Sequence, residues 1–152
     1  MIELTDRATA PAVADAVLNL PFETRQRSRF RARLTDGREV AVRVARGQVL
    51  RDGMLLTGAD GIVVRVAAAD EAVSTASHPE PQRLVRAAYH LGNRHVALQI
   101  GDGWLRYYAD HVLDQISEAV GLAVCHESAP FEPEGGVFDG ERVGGHEHAH
   151  HG

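Results

Sequence analysis

The last eight residues carry four of the nine histidines of this 152-residue chain. The four are His146, His148, His150 and His151. Neutral imidazole is the commonest protein ligand for borderline divalent metals, and several imidazoles on one short segment can surround a single ion. A purification tag is normally an unbroken histidine run, whereas Glu147 and Ala149 interrupt this one. The pattern therefore predicts a native metal-binding tail.

His95 lies where a predicted helix ending at Gly92 gives way to a predicted apolar strand over residues 95–100. A single histidine at the start of a strand more often has a structural role than a metal-binding one. We find no Cys, Asp or Glu cluster at metal-ligand spacing in this half of the chain, so one copy supplies too few ligands. Two-fold symmetry would bring a second His95 close. That arrangement predicts a metal shared between two chains, with tail histidines completing its coordination.

The other histidines and the single cysteine are weaker candidates. His111 follows Asp110 at the start of the second predicted helix, where a solvent-facing role is the alternative to metal binding. Cys125 lies in a predicted apolar strand and is expected to pack as a small hydrophobic residue. The remaining three histidines are expected to be ordinary surface residues: His78, His90 and His126.

Enzyme signatures are missing from the sequence. It contains no G-x-S-x-G elbow, no Walker loop and no C-x-x-C pair, and it has no lysine for Schiff-base chemistry. Glu132 and Glu134 lie on either side of Pro133 in a predicted loop, with no general base nearby. We therefore expect a protein that is not an enzyme. The lone cysteine and the lack of a long apolar run predict a cytoplasmic protein with no membrane contact.

Charge and histidine content divide the chain into two halves. Residues 1–70 hold 11 arginines against 9 acidic residues, whereas residues 71–152 hold 5 against 12 and contain every histidine. An acidic, histidine-rich half suits a cation better than a nucleic acid. In the first half, every second residue from 25 to 33 is arginine, which in strand geometry places five guanidinium groups on one face. This face is interpreted as a solvated surface, with protein docking as its functional alternative.

The pattern predicts an α+β protein with two domains and a tail. Residues 1–70 form a small antiparallel β domain, with an Asp36-Gly37 hairpin among its turns. Residues 71–136 alternate as β-α-β-β-α-β, the ferredoxin-like arrangement, with helices ending near Gly92 and Gly121 and a last strand over residues 122–125. Residues 137–152 contain too little apolar material to pack and are predicted to be a flexible His-rich tail.

Three motifs in this order resemble the UreE family of urease accessory nickel metallochaperones. They precede a His-rich tail and are Leu91-Gly92-Asn93-Arg94-His95-Val96-Ala97-Leu98-Gln99-Ile100, Asp110-His111-Val112-Leu113 and Pro130-Phe131-Glu132-Pro133-Glu134-Gly135. The first and third motifs together are specific, and the resemblance covers nearly the whole chain. Some family members carry a His-x-His pair just before the second helix. Here its second member is His111, but its first position is Ala109.

The resemblance implies an N-terminal β domain that docks partners and a ferredoxin-like domain that forms a homodimer. His95 is then the position whose two copies bind nickel, with the tail histidines as auxiliary ligands and His111 as an additional candidate. The cargo is Ni²⁺, and such imidazoles should also accept Zn²⁺ or Cu²⁺. The implied partners are the urease accessory GTPase UreG and the urease apoprotein with its accessory complex. No nucleic-acid partner is expected.

The residues alone leave two other functions open. One is a divalent-metal buffer or sensor that acts mainly through the tail at residues 145–152. The other is a nucleic-acid-binding module that uses the arginines at residues 25–33, although no aromatic residues alternate with them to stack on bases.

Overall fold

A computed structural model describes residues 1–9 and 13–135, so the tail histidines and the predicted tail disorder lie outside the described residues. The chain divides into two compact units; the described part of the first falls within Met1–Ala69 together with Gly135, and the second is Asp70–Glu134. The first unit is β-rich and the second combines helices with one sheet. The α+β class is therefore confirmed. No helix among the described residues is long and apolar enough to cross a membrane.

Two sheets make up the N-terminal unit. The first has the order β1 (Ile2–Leu4), β5 (Glu39–Arg43) and β4 (Arg29–Arg33). The second has the order β2 (Asp6–Arg7), β6 (Leu55–Thr57), β7 (Val63–Ala68) and β3 (Ala16–Leu20). A short helix, α1, spans Phe22–Arg25. The pairs β1–β5 and β3–β7 are parallel, so the unit is mixed rather than purely antiparallel.

The predicted hairpin at Asp36-Gly37 is confirmed. Gly37 adopts a φ of 96°, a left-handed conformation that glycine reaches without a Cβ clash. Its N–H donates to the Leu34 carbonyl at 2.9 Å, and the Asp36 carboxylate accepts the Arg38 N–H at 3.0 Å. The turn sets the register of β4 and β5, in which Phe30 pairs with Val42 and both are buried.

The predicted face of five arginines is wrong. Arg25 ends α1 rather than lying in a strand, and its side chain is fully buried. Its guanidinium donates to the carbonyls of Leu20 at 3.1 Å and Leu50 at 3.2 Å, and it stacks over the Phe22 ring. Arginine therefore recurs at every second position over a longer stretch than the strand itself, because β4 begins only at Arg29. Only Arg29, Arg31 and Arg33 lie in β4 with exposed side chains.

The C-terminal unit has the predicted β-α-β-β-α-β order. Its elements are β8 (Asp70–Ser77), α2 (Pro81–Gly92), β9 (Gln99–Ile100), β10 (Trp104–Tyr108), α3 (His111–Ala119) and β11 (Ala123–Pro130). The sheet order is β11-β8-β10-β9 with antiparallel neighbours, as a ferredoxin-like fold requires. Helical and strand residues share one core: Ala76, Ala87, Leu91, Leu98, Leu105, Tyr107, Leu113 and Leu122.

Two predicted strand boundaries in this unit are wrong. The strand expected over residues 95–100 contains only Gln99–Ile100, and His95 lies in a turn. The last strand runs to Pro130 rather than ending at Cys125, because all eight of its residues pair with β8. Cys125 is exposed rather than packed as a small hydrophobic residue. The longer pairing keeps the sheet continuous to the Pro130–Phe131 segment.

Candidate metal site

The end of α2 positions His95. Pro81 occupies the first turn of α2. Backbone N–H groups in that turn have no partner within the helix, so the N–H that proline lacks costs no helical hydrogen bond. At the other end, the N–H groups of residues 93, 94 and 95 donate to the carbonyls of residues 89, 91 and 92, at 3.1, 3.0 and 3.0 Å. We call residues 93–95 the His95 turn. These bonds fix its backbone to the helix, so the position of His95 follows that of α2.

His95 has a left-handed backbone conformation. Its φ is 58°, and it is the single non-glycine residue with positive φ in the described part of the chain. This conformation costs a side-chain-bearing residue on the order of 1 kcal/mol. Gly92, the residue type that usually adopts the left-handed conformation after a helix, is instead the last helical residue. The chain therefore places a histidine where glycine would be less strained, a feature that is common at functional sites.

The side chain of His95 is exposed. Within residues 1–9 and 13–135, no three or more His, Cys, Asp and Glu side chains are grouped so that they could hold a metal ion. A single imidazole binds a divalent ion weakly, so one copy of the described chain does not make a closed metal site around His95. Further ligands would have to come from the tail, from a second copy, or from both.

An apolar face of α2 leads to the His95 turn. Val85 is 63% exposed and Tyr89, one turn later, is 66% exposed. Gly92 continues this face at the next helical position, and a Cβ built there would meet no atom within 4 Å. Large apolar side chains exposed in a row are typical of surfaces that contact another protein. This face is a candidate contact surface beside the candidate ligand.

His111 is the first residue of α3 and is exposed. Its Nε2 lies 3.2 Å from the amide nitrogen of Gln115, one turn along the helix. Asp110 caps the helix by accepting the Leu113 N–H at 3.0 Å, as predicted. This carboxylate therefore binds the helix terminus. The described residues do not bring His111 into a metal-binding group with His95.

His126 has partners that the sequence did not predict. Its Nε2 lies 2.6 Å from Oδ2 of Asp114, a side chain on the inward face of α3. The other oxygen of Asp114 accepts a hydrogen bond from the Tyr107 hydroxyl at 2.9 Å, and that hydroxyl lies 3.0 Å from Oγ of Ser117. We call these four side chains the Asp114 network. It joins α3 to β10 and β11.

Burial and hydrogen bonding shift the pKa values of two groups in this network, the Asp114 carboxyl and the Tyr107 hydroxyl. Burial by itself would raise the pKa of Asp114, but the hydrogen bonds to His126 and Tyr107 and the charge of His126 leave the pKa below its ordinary value. Burial is the main cause that raises the pKa of the Tyr107 hydroxyl. Asp114 is thus ionised and Tyr107 neutral near pH 7. The acidic residue Asp114 next to the apolar Leu113 is the only trace of this network in the local sequence, and it does not identify the partners.

Two family models together match nearly the whole chain. The UreE urease accessory protein N-terminal domain matches residues 2–69, and the C-terminal domain matches residues 71–152. The chain belongs to the UreE family. The UreE C-terminal model contains α2, the His95 turn, the Asp114 network and the four tail histidines within one domain.

Relatives carrying the name urease accessory protein UreE match over most of their length. A protein from Alkalilimnicola ehrlichii is 59% identical over 140 residues, which cover 92% of this chain and 86% of the relative. One from Pseudomonas putida is 52% identical, covering 91% and 86%. A third, from Nitrosospira multiformis, is 43% identical, covering 97% and 82%. UreE membership is therefore supported at both the domain and the full-chain level.

Proposed function

We propose that this UreE-family chain is a metallochaperone that delivers Ni²⁺ for assembly of the urease active site and catalyses no reaction itself. The relatives are named as accessory proteins of urease, whose assembly requires nickel handling. The observation that carries the proposal is the exposed His95 on its left-handed turn, beside an apolar helix face, in a described chain that holds no group of three or more metal-binding side chains. Such a ligand is suited to a site that a second molecule completes.

The proposed metal site is shared between two subunits of a homodimer. A two-fold contact along the face of Val85, Tyr89 and Gly92 would bring both His95 turns close together, because each turn directly follows that face. The remaining ligands would be imidazoles of the tail: His146, His148, His150 and His151. His111 is an additional candidate ligand for a second, weaker ion. In this proposal residues 71–136 both dimerise and bind metal.

Transfer of Ni²⁺ in this proposal is stepwise ligand exchange. A site built from single side chains of several segments can lose one imidazole at a time, so release need not cross one large barrier. Neutral imidazoles also bind Zn²⁺ and Cu²⁺, and Cu²⁺ binds more tightly at most sites. The selection of nickel would then depend on the receiving proteins, which we take to be UreG and the urease apoprotein in the cytoplasm. Residues 1–70 would dock these partners.

Calorimetric titration of Ni²⁺ into the full-length chain tests the His95 assignment. We expect His95→Ala to weaken the tightest site about 100-fold, an effect at the upper end of that seen for losses around metal sites. His90→Ala is the matched control, because His90 is an exposed histidine on the same helix. An unchanged tight site in His95→Ala, with mass measurements showing an intact dimer, would refute the assignment.

A tail-dependent metal buffer or sensor is the second candidate function, because the described residues hold no complete metal-binding group. A chain that lacks residues 145–152 separates the two candidates. A chaperone with a His95 site should keep one ion per dimer at reduced affinity. A buffer should lose almost all Ni²⁺ binding, and His95→Ala in the full chain should then have little effect.

A further inference from the structure

Among the described residues, strand β4 is an edge of its sheet. The sheet order there is β1-β5-β4, so β4 pairs with β5 on one side only. The Ser28 carbonyl accepts the Val44 N–H, and the Leu34 N–H donates to the Arg38 carbonyl, both at 2.8 Å. Peptide groups alternate in direction along an antiparallel pair. Those of the three odd-numbered residues of β4 therefore point away from β5: Arg29, Arg31 and Arg33.

The same three residues form a cationic row, which we call the arginine edge. Arg33 donates to the Glu39 carboxylate at 2.8 Å and to the Gly37 carbonyl at 2.9 Å, so its guanidinium already has an acidic partner. For Arg29 and Arg31, the described part of the chain supplies no carboxylate partner. Two free guanidinium groups and an unpaired strand edge thus coincide over about five residues, or roughly 17 Å of strand.

Repulsion across the sheet adds to this charge. Arg29 lies directly opposite Arg43 on β5, and like charges in this position destabilise a sheet. In the described part of the chain, the one carboxylate within 4 Å of the Arg43 guanidinium is that of Glu3, at 3.9 Å, and both side chains are more than half exposed. An anionic group placed over this pair would remove the repulsion. The surface therefore favours a negatively charged ligand.

We propose that the arginine edge binds an extended acidic segment of a partner protein, which adds to the sheet as a further strand beside β4. The inference rests on the proposed role of the N-terminal unit in partner docking and gives that partner a chemical class. Strand addition supplies main-chain hydrogen bonds to the outward peptide groups, while alternate carboxylates on one face of the added strand meet Arg29 and Arg31. A nucleic acid would satisfy the charges but not the peptide edge.

Another role of edge arginines is to prevent unwanted pairing between sheets, and charged residues are common on exposed edges for that reason. This role and ligand binding make different predictions. A purely protective row should bind no extended peptide, and neutralising it should promote self-association. A docking surface should bind an acidic peptide in the native protein, and neutralising it should reduce that binding.

Fluorescence anisotropy with a labelled ten-residue peptide of alternating Glu and Thr tests the proposal on the full-length chain. We expect binding that weakens with added salt. Replacing Arg29 and Arg31 together by Gln should weaken it roughly three- to tenfold, the range expected for two exposed ion pairs. Arg65→Gln is the control, because Arg65 is an exposed arginine in a strand of the other sheet of this unit, and it should change binding less than twofold.

Arg31→Pro tests the peptide edge separately from the charge. Proline removes the outward N–H but leaves the bonds between β4 and β5, and edge strands tolerate proline when its nitrogen faces solvent. We expect Arg31→Pro to weaken peptide binding more than Arg31→Gln, with circular dichroism confirming the fold of both. Equal effects of the two variants would overturn strand addition. Tighter binding of single-stranded DNA of equal charge, or no peptide binding, would overturn the proposal as a whole.

Nickel titration of the same variants separates this inference from the proposed chaperone function. The arginine edge belongs to the N-terminal unit and His95 to the C-terminal unit, so the Arg variants should bind Ni²⁺ like the unmodified chain. If the unmodified protein binds Ni²⁺ tightly but binds no peptide, the docking surface is refuted and the metal site is not. If it binds the peptide but has no tight nickel site, the chaperone function is refuted and the peptide result stands.

Discussion

His95 and His126 belong to the same unit but differ in how they are held. His126 is joined to the ionised Asp114 at 2.6 Å, and that carboxylate also binds the Tyr107 hydroxyl. Both side chains are exposed, that of His126 to 66%, but His95 has a strained backbone and belongs to no group of three or more metal-binding side chains among the described residues. The first histidine is tied to the fold through its partners. Within the described residues the second is held by its backbone alone, which leaves its imidazole free for a ligand. The partners of a histidine, rather than its presence, thus separate the two roles.

The strongest test of this contrast removes Asp114. Asp114→Ala removes the carboxylate that accepts from the buried Tyr107 hydroxyl and that lies 2.6 Å from His126, so we expect a loss of about 2–3 kcal/mol in the free energy of unfolding. Urea denaturation measures it, with Glu118→Ala as the control on the exposed face of the same helix. The tight Ni²⁺ site should remain. A stability change no larger than that of the control would mean that the network does not stabilise α3.

The next test concerns the apolar face beside His95. Tyr89→Ser should weaken the proposed homodimer about tenfold, because exposed tyrosines that become buried often contribute over 1 kcal/mol to an interface. Sedimentation velocity over a range of concentrations measures the change. Gln82→Ser is the control, since Gln82 is an exposed residue nearer the start of the same helix. If Tyr89→Ser leaves the dimer unchanged while His95→Ala removes the tight metal site, the two subunits meet through another face.

The arrangement of the C-terminal unit could be predicted from the sequence, because hydrophobic periodicity and helix-capping residues determine structure over a few neighbouring positions. Asp110 caps α3, and alternating apolar residues give β10 its buried face. The left-handed turn at His95 could not be predicted in this way, since glycine is the usual residue there and a glycine lies three positions earlier. The tertiary position of α2 outweighs that local preference.

Two other features that were not predicted, the burial of Arg25 and the partner of His126, have the same origin. Arg25 continues a period-two pattern, yet it is buried because the carbonyls of Leu20 and Leu50 satisfy its guanidinium. His126 was treated as isolated, since Asp114 lies 12 residues away and only the packing of α3 on the sheet brings them together. Contacts between different helices, strands and loops determine the surroundings of both side chains. Such contacts leave little trace in local sequence patterns. The metal site shares this property, because its proposed ligands come from separate segments and from two chains.

A smaller effect should appear in the acid range. The pKa of Asp114 is lowered in the folded protein, so the carboxylate stabilises the fold fully above its unfolded value of about 3.9, and this contribution is lost as the pH falls through the lower folded pKa. The stability difference between the unmodified chain and Asp114→Asn should therefore stay constant from pH 5 to about 4 and shrink below it. Denaturation at each pH measures this difference. A gap that shrinks already above pH 5 would contradict the lowered pKa.

The smallest effect distinguishes strain from ligand binding at His95. His95→Gly should relieve the left-handed strain, but glycine also gains entropy in the unfolded chain, so we expect a net stabilisation between zero and about 1 kcal/mol. His95→Ala keeps the strain and should give no gain. Both variants should lose the tight nickel site equally, because both lack the imidazole. A stability curve and a nickel titration on each variant test this. If His95→Gly instead destabilised the fold, the imidazole would be a structural group like that of His126, and the contrast between the two histidines would fail.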